Sequence, residues 1–165
     1  MTARVAVLMG SISDKKVMEA CIDTLDTFGV GWEWRVLSAH RTPAETHACI
    51  SGARGRGIEV IICGAGMAAH LAGAAAAGTT LPVIGVPVES SLDGLDALLA
   101  TVQMPPGIPV ATVAIGRAGA RNAAVLAVQI LALGDPELTQ KLEDHRAEMR
   151  AKVLATDAEL GASRE

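Results

Sequence analysis

Residues 60–88 read VIICGAGMAAHLAGAAAAGTTLPVIGVPV and contain no Asp, Glu, Lys or Arg. Twenty-nine uncharged residues are enough to span a bilayer as one helix. Their content argues against that reading, because five Gly, two Pro, two Thr and a His interrupt the run. Two β-like stretches, Ile58–Cys63 and Leu81–Val88, flank an Ala-rich segment that a Gly-Ala-Gly turn introduces. Strand, turn, helix and strand, with neither strand showing a polar face, is the pattern of a parallel sheet buried on both sides.

The same alternation continues outward. Val5–Met9 is an apolar run ending at Gly10. Ser13 and Asp14 then offer N-caps for a helix with Val17, Met18, Cys21, Ile22, Leu25 and Phe28 at helical spacing, closed by Gly29. Trp32–Leu37 alternates like an edge strand, and Thr42-Pro43 opens a helix running towards Gly55 or Gly57. Beyond Val88, Gly94–Val102 reads as a helix, Pro109–Ile115 as a fifth strand and Ala118–Leu133 as a long apolar helix. Asp135-Pro136 starts a last helix, with Leu138, Leu142, His145, Met149 and Val153 on one stripe.

Five strands alternating with helices predict an α/β fold, a flavodoxin-like three-layer sandwich around a five-stranded parallel sheet, with an extra C-terminal helix. The chain, 1–165, reads as one domain with a core over about 4–134 and the last helix over about 136–155. That helix either packs on its own domain or docks on a neighbouring subunit. Ligands of such folds sit outside the carboxyl ends of the strands, which gathers the Gly10, Ser38 and Gly64 segments around one crevice.

Composition removes several functions. Half of the residues are hydrophobic and 19% are charged, which excludes a disordered chain. A net charge of −4, two Trp, one Phe and no Tyr leave neither a basic footprint nor a stacking platform for nucleic acid. Cys21, Cys49 and Cys63 are odd in number and widely spaced, which reads as reduced thiols, with neither disulfides nor a zinc site. MTARVAVLMG reads as a first strand and not a signal peptide, so a soluble cytoplasmic protein is expected. With so little charge in its central half, the protein is expected to bury surface against other subunits.

Three motifs end strands. MGSISD places Gly10, Ser11, Ser13 and Asp14 before a helix N-terminus, a phosphate-binding arrangement without a Walker lysine or a third dinucleotide glycine. Asp14 could accept from ribose hydroxyls; simple capping is the alternative. SAHRTP sets His40 beside Arg41: an imidazole suited to proton transfer next to a guanidinium suited to phosphate, or else a solvated pair. CGAGMAAHLAG brings small residues and His70, which is either a site residue or a satisfied core histidine. No residue set resembles a metal site.

These strings, together with LPVIGVPVESSLDGLDALLATVQMPPGIPVATVAIG and AGARNAAVLAVQIL in this order and spacing, closely resemble the class I N5-carboxyaminoimidazole ribonucleotide mutase family over roughly Val5–Met149. The resemblance implies an octamer with active sites between subunits, no cofactor in this step, and a partner synthetase that uses ATP to make the carbamate. It implies His40 as the catalytic histidine. Ser11, Ser13 and Asp14 would form the substrate loop, with Asp14 on the ribose and Arg41 on the phosphate. Ser38, Ala65, Gly66, His70 and Leu71 would surround the moving carboxylate. Met67 and Ala72 depart from the commoner Gly and Pro of that family, which predicts a reshaped wall. Three rivals remain: direct carboxylation as in the class II branch, a paralogue acting on another heterocycle, and an FMN carrier, which the absence of Tyr disfavours.

Overall fold

An apolar run such as Val5–Met9 can be buried only if both faces of its strand are covered. In the computed structural model, which describes residues 2–90 and 92–162, these residues form β1 and all five are buried. The other strands are β2 (Trp32–Val36), β3 (Val60–Gly66), β4 (Val83–Val88) and β5 (Ala111–Thr112). All pair in parallel in the order β2-β1-β3-β4-β5, the flavodoxin-like order.

Alternate side chains of β1 enter different layers, as the period of two requires. Val5, Val7 and Met9 join Ile62 and Ile84 against α1 (Lys15–Phe28) and α5 (Gly116–Ala132). Ala6 and Leu8 join Ile61 and Cys63 against α2 (Pro43–Ser51) and α3 (Leu71–Gly78). α4 (Leu95–Val102) packs beside β4 and β5. The uncharged stretch is therefore strand, helix and strand, and no helix among the described residues is long and apolar enough to cross a membrane.

Several boundaries differ from the sequence reading. The Gly-Ala-Gly segment is no turn: Gly64, Ala65 and Gly66 continue β3 and pair with Val86, Pro87 and Val88. Pro109 lacks an N–H for a ladder, and β5 begins only at Ala111, pairing with Ile84 and Gly85. α2 stops at Ser51; a 3-10 turn over Arg54–Arg56 follows, and Gly57 ends it at φ 88°. Asp14, one of the two expected candidates, is the N-cap residue of α1, but its side chain makes no cap hydrogen bond there. Ser11 forms a capping box with Asp14 over a 3-10 turn, Ile12–Asp14, that leads into the helix.

The C-terminal helix, α6 (Pro136–Ala162), runs seven residues past its expected end, about 40 Å in all. Its first half packs on its own domain: Leu138 is buried, Lys141 Nζ donates to the Phe28 carbonyl at 3.1 Å, and His145 meets Phe28 edge-on at 5.2 Å. Its second half exposes Met149, Val153 and Leu154.

Candidate functional site

Register places the site. Met9 pairs with Val36 on one side and Gly64 on the other, so the chain leaves β1, β2 and β3 at one level. Hydrogen bonds from Gly10 N to Gly64 O (3.1 Å) and from Leu37 N to Met9 O (2.9 Å) hold the three exits together. Gly10 does not take a left-handed conformation. A Cβ there would stand 3.9 Å from Ala65 Cβ and 4.0 Å from Asp14 Oδ2, which is ordinary contact. What its absence provides is an empty floor between the first and third loops.

In the first loop, Asp14 Oδ2 accepts from Ser11 N at 3.2 Å, Ser11 Oγ accepts from Ser13 N at 3.3 Å, and Ser13 Oγ donates to Asp14 Oδ1 at 3.3 Å. Burial raises the Asp14 carboxyl above its ordinary value; the Ser13 and Ser11 hydrogen bonds and the Arg41 charge oppose that rise. Asp14 thus closes the capping box through Ser11 N and also lies near enough to Arg41 for the two charges to interact.

The second loop is braced by Thr42, whose part in the site the sequence reading missed. Thr42 Oγ1 accepts from Ser38 N at 2.9 Å and contacts Ser38 O at 3.1 Å, while Thr42 N donates to Ser38 O at 2.9 Å. Its position four residues after Ser38 was the available signal. Arg41 donates from Nε to Ser38 Oγ at 3.3 Å and from Nη2 to Gly10 O at 2.6 Å. Those bonds engage two of the five guanidinium donors and leave three. Among the described residues no salt bridge reaches Arg41. Its neighbour His40 is exposed at the crevice.

The third loop brings His70 to it. His40 Nε2 and His70 Nδ1 are 2.8 Å apart, with the rings edge-on at 4.9 Å. His70 is thus an exposed crevice residue and not a core histidine. It precedes α3, whose start carries no side-chain cap. Leu71 is 2% exposed and packs in the layer beneath, so only its backbone can face a ligand. Ala65 and Gly66 sit at the crevice edge as strand residues, their backbones partly committed to β4. Met67 stands exposed at φ 56°, the left-handed region where glycine is unstrained, and Ala72 is buried in the first turn of α3.

Burial pushes the Cys21 thiol up to about 12 and raises Cys63 as well, which makes both poor nucleophiles. Arg117 Nη1 donates to Lys16 O at 2.6 Å, a structural tie between α5 and α1.

The chain is similar to proteins of known name. The family model described as AIR carboxylase matches residues 4–152. The chain is 52% identical over 157 residues to the N5-carboxyaminoimidazole ribonucleotide mutase of Bacillus subtilis (strain 168), covering 94% of this chain and 97% of that one. It is 54% identical over 148 residues to the protein of the same name from Pyrococcus abyssi, with 89% and 84% covered. Among solved structures, PurE of Treponema denticola superposes with a TM-score of 0.84 at 29% identity, covering 94% of this chain and 97% of that chain. A PurE2 variant from Treponema denticola reaches 0.86 at 28% identity, with 97% and 99% covered. A match over nearly the full length means that the chain belongs to the AIR carboxylase family.

Proposed function

We propose that this chain is an N5-carboxyaminoimidazole ribonucleotide mutase, an isomerase of purine biosynthesis that moves a carboxylate from the exocyclic nitrogen of the substrate to C4 of its imidazole. The observation that carries the reading is the meeting of His40, Arg41 and the uncapped start of α3 at one open crevice.

Arg41, with three donors to spare, and the Ser11–Ser13 loop hold the phosphate, while Asp14 takes the ribose hydroxyls. His40, protonated, gives its proton to the exocyclic nitrogen. The N–C bond of the carbamate breaks and carbon dioxide is released beside a free amine. C4 of the aminoimidazole, nucleophilic as an enamine carbon, then forms the new C–C bond to carbon dioxide. His40 takes the C4 proton and returns to its starting state. One imidazole serves both transfers, which is general acid–base chemistry without a cofactor. Ser38, Ala65, Gly66, His70 and the Leu71 backbone enclose the carbon dioxide, so that capture proceeds as if intramolecular. The unbonded amides at the start of α3 stabilise the carboxylate.

The open crevice fits an enzyme completed by neighbouring copies, and the family resemblance implies a cytoplasmic octamer fed by an ATP-dependent carbamate-forming synthetase. Leu95, Leu99 and Val102 form an exposed apolar stripe on α4 that such packing would cover. The test is to supply the purified protein, without ATP, with either the carbamate nucleotide or aminoimidazole ribonucleotide plus bicarbonate. Conversion of the carbamate at low concentration is expected. Use of bicarbonate with the carbamate ignored would move the chain to direct carboxylation, and conversion of neither would overturn the reading.

A further inference from the structure

We infer that His70 is a positioning residue that fixes the tautomer of His40, so that Nδ1 of His40 is the atom that gives and takes the proton. The inference rests on the general acid–base reading of His40 and deepens it.

The contact itself sets the problem. Two imidazole nitrogens 2.8 Å apart, His40 Nε2 and His70 Nδ1, share one hydrogen between them, and either could donate it. The backbones on both sides are fixed. Ser38 and Thr42 brace the His40 loop. On the other side, His70 N donates to Ala68 O at 2.8 Å, and His70 O accepts from Ala74 N at 2.9 Å. The His40 ring has no other hydrogen-bond partner among the described residues. Being exposed, it is not wedged by packing either. Its orientation and its tautomer therefore both depend on His70.

The reaction decides between the two donors. His40 passes through a neutral and a protonated stage in each turnover. If His70 donated, every protonation of His40 would set two N–H groups against each other across 2.8 Å, and the contact would break each cycle. If His40 Nε2–H donates to His70 Nδ1, the bond survives both stages and only His40 Nδ1 gains or loses hydrogen. His70 is then neutral, with its own hydrogen on Nε2. This is the logic by which a partner on one ring nitrogen sets the chemistry of the other. It assigns His70 a task different from lining the carboxylate pocket.

The test uses the intact protein, with 15N-histidine spectra and steady-state kinetics on the carbamate nucleotide. In the wild type, His40 should carry its hydrogen on Nε2. His70→Leu should erase that preference and lower kcat by roughly 10- to 100-fold, with KM changed less than about twofold. His70→Asn sets an amide oxygen near the former Nδ1 and should recover at least about fivefold in kcat over His70→Leu. A wild-type His40 with its hydrogen on Nδ1 would overturn the inference without any variant. So would full kcat in His70→Leu, or a His70→Asn no better than His70→Leu. His40→Asn separates the two levels: turnover surviving in that variant overturns the acid–base reading itself. Its loss, beside an unaffected His70→Leu, overturns only the role of His70.

Discussion

Apart from the exposed Lys15–Glu19 pair in the first turn of α1, the two ends of the sheet use charge in opposite ways. At the amino end, ions are matched with ions: Arg4 bridges Glu59 and Asp135 at 2.5 and 2.9 Å, Arg56 meets Glu33 at 2.6 Å, and Lys141 meets Glu137 at 2.9 Å. The Arg4 and Arg56 pairs tie the strand entries to each other and to the root of α6, and the Lys141–Glu137 pair lies within α6. At the carboxyl end, Arg41 spends its bonds on a carbonyl and a hydroxyl, and two imidazoles face each other in the open. A matched pair neutralises itself and gains little from further ligands. A cation held only by neutral acceptors keeps its attraction for an incoming anion. The amino end is organised for stability and the carboxyl end for a substrate, and changes at one end should leave the other's measurable untouched.

The largest break in that division is expected at His40. His40→Asn should reduce turnover by about 10²- to 10⁴-fold, the range for removing a general acid–base, with binding and melting temperature kept. A matching loss of thermal stability would mean that the carboxyl end also carries the fold. Arg41→Ala should come next, weakening nucleotide affinity by about 10- to 100-fold, as loss of charged hydrogen bonds to phosphate does. The phosphate-free nucleoside should bind both forms alike. An equal loss for both ligands would place Arg41 outside the phosphate site.

Gly64 sharpens the comparison because it is a stability position inside the functional end. A Cβ at Gly64 would lie 2.4 Å from Met18 Sδ and 2.9 Å from Met18 Cγ, so α1 rests directly on the strand there. Gly64→Ala must displace the Met18 side chain and should cost about 1–3 kcal/mol, read as a lower denaturant midpoint at unchanged slope. Retained stability would mean that Met18 re-rotates freely and that the close approach is not needed.

The same glycine shows where the sequence stopped being legible. The strand–helix alternation was readable because uncharged runs, Gly29 and Thr42-Pro43 report local chemistry. Gly64-Ala65-Gly66 reads locally as a turn, yet it is strand, because a missing side chain there serves the packing of α1 and not a left-handed backbone. The shortness of β5 reflects how few residues meet β4 after the Pro- and Gly-rich approach, which is a tertiary matter. His40 and Arg41 stood out because two such residues at a strand end have little to gain from packing. His70 was ambiguous alone. Only the order β2-β1-β3 brings a residue 30 positions away to 2.8 Å from His40, and no spacing rule contains that order.

The smallest effects expected are those of two aspartates, and their signs should oppose. Burial raises the Asp14 carboxyl in the folded protein above its ordinary 3.8. The folded state therefore holds that proton more tightly than the unfolded chain, and stability falls as pH rises from below 3.8 through the folded value. Asp135 is lowered from 3.8, chiefly by its hydrogen bond from Arg4 and also by the Leu138 amide. Its contribution is complete above 3.8 and is lost as pH falls through the depressed folded value. Asp14→Asn should thus melt like the wild type in acid and no lower, or higher, at neutral pH, while binding the ribonucleotide more weakly. Asp135→Asn should melt lower at neutral pH with kcat intact, and its gap to the wild type should close on acidification. Melting curves of both variants from pH 3 to 7 check this directly. Two gaps of the same sign would show that both carboxylates serve the fold, and the division between the ends of the sheet would not extend to Asp14. Opposed gaps would mean that Asp14 is kept against the stability of the empty enzyme, which is what a group held ready for a ligand requires.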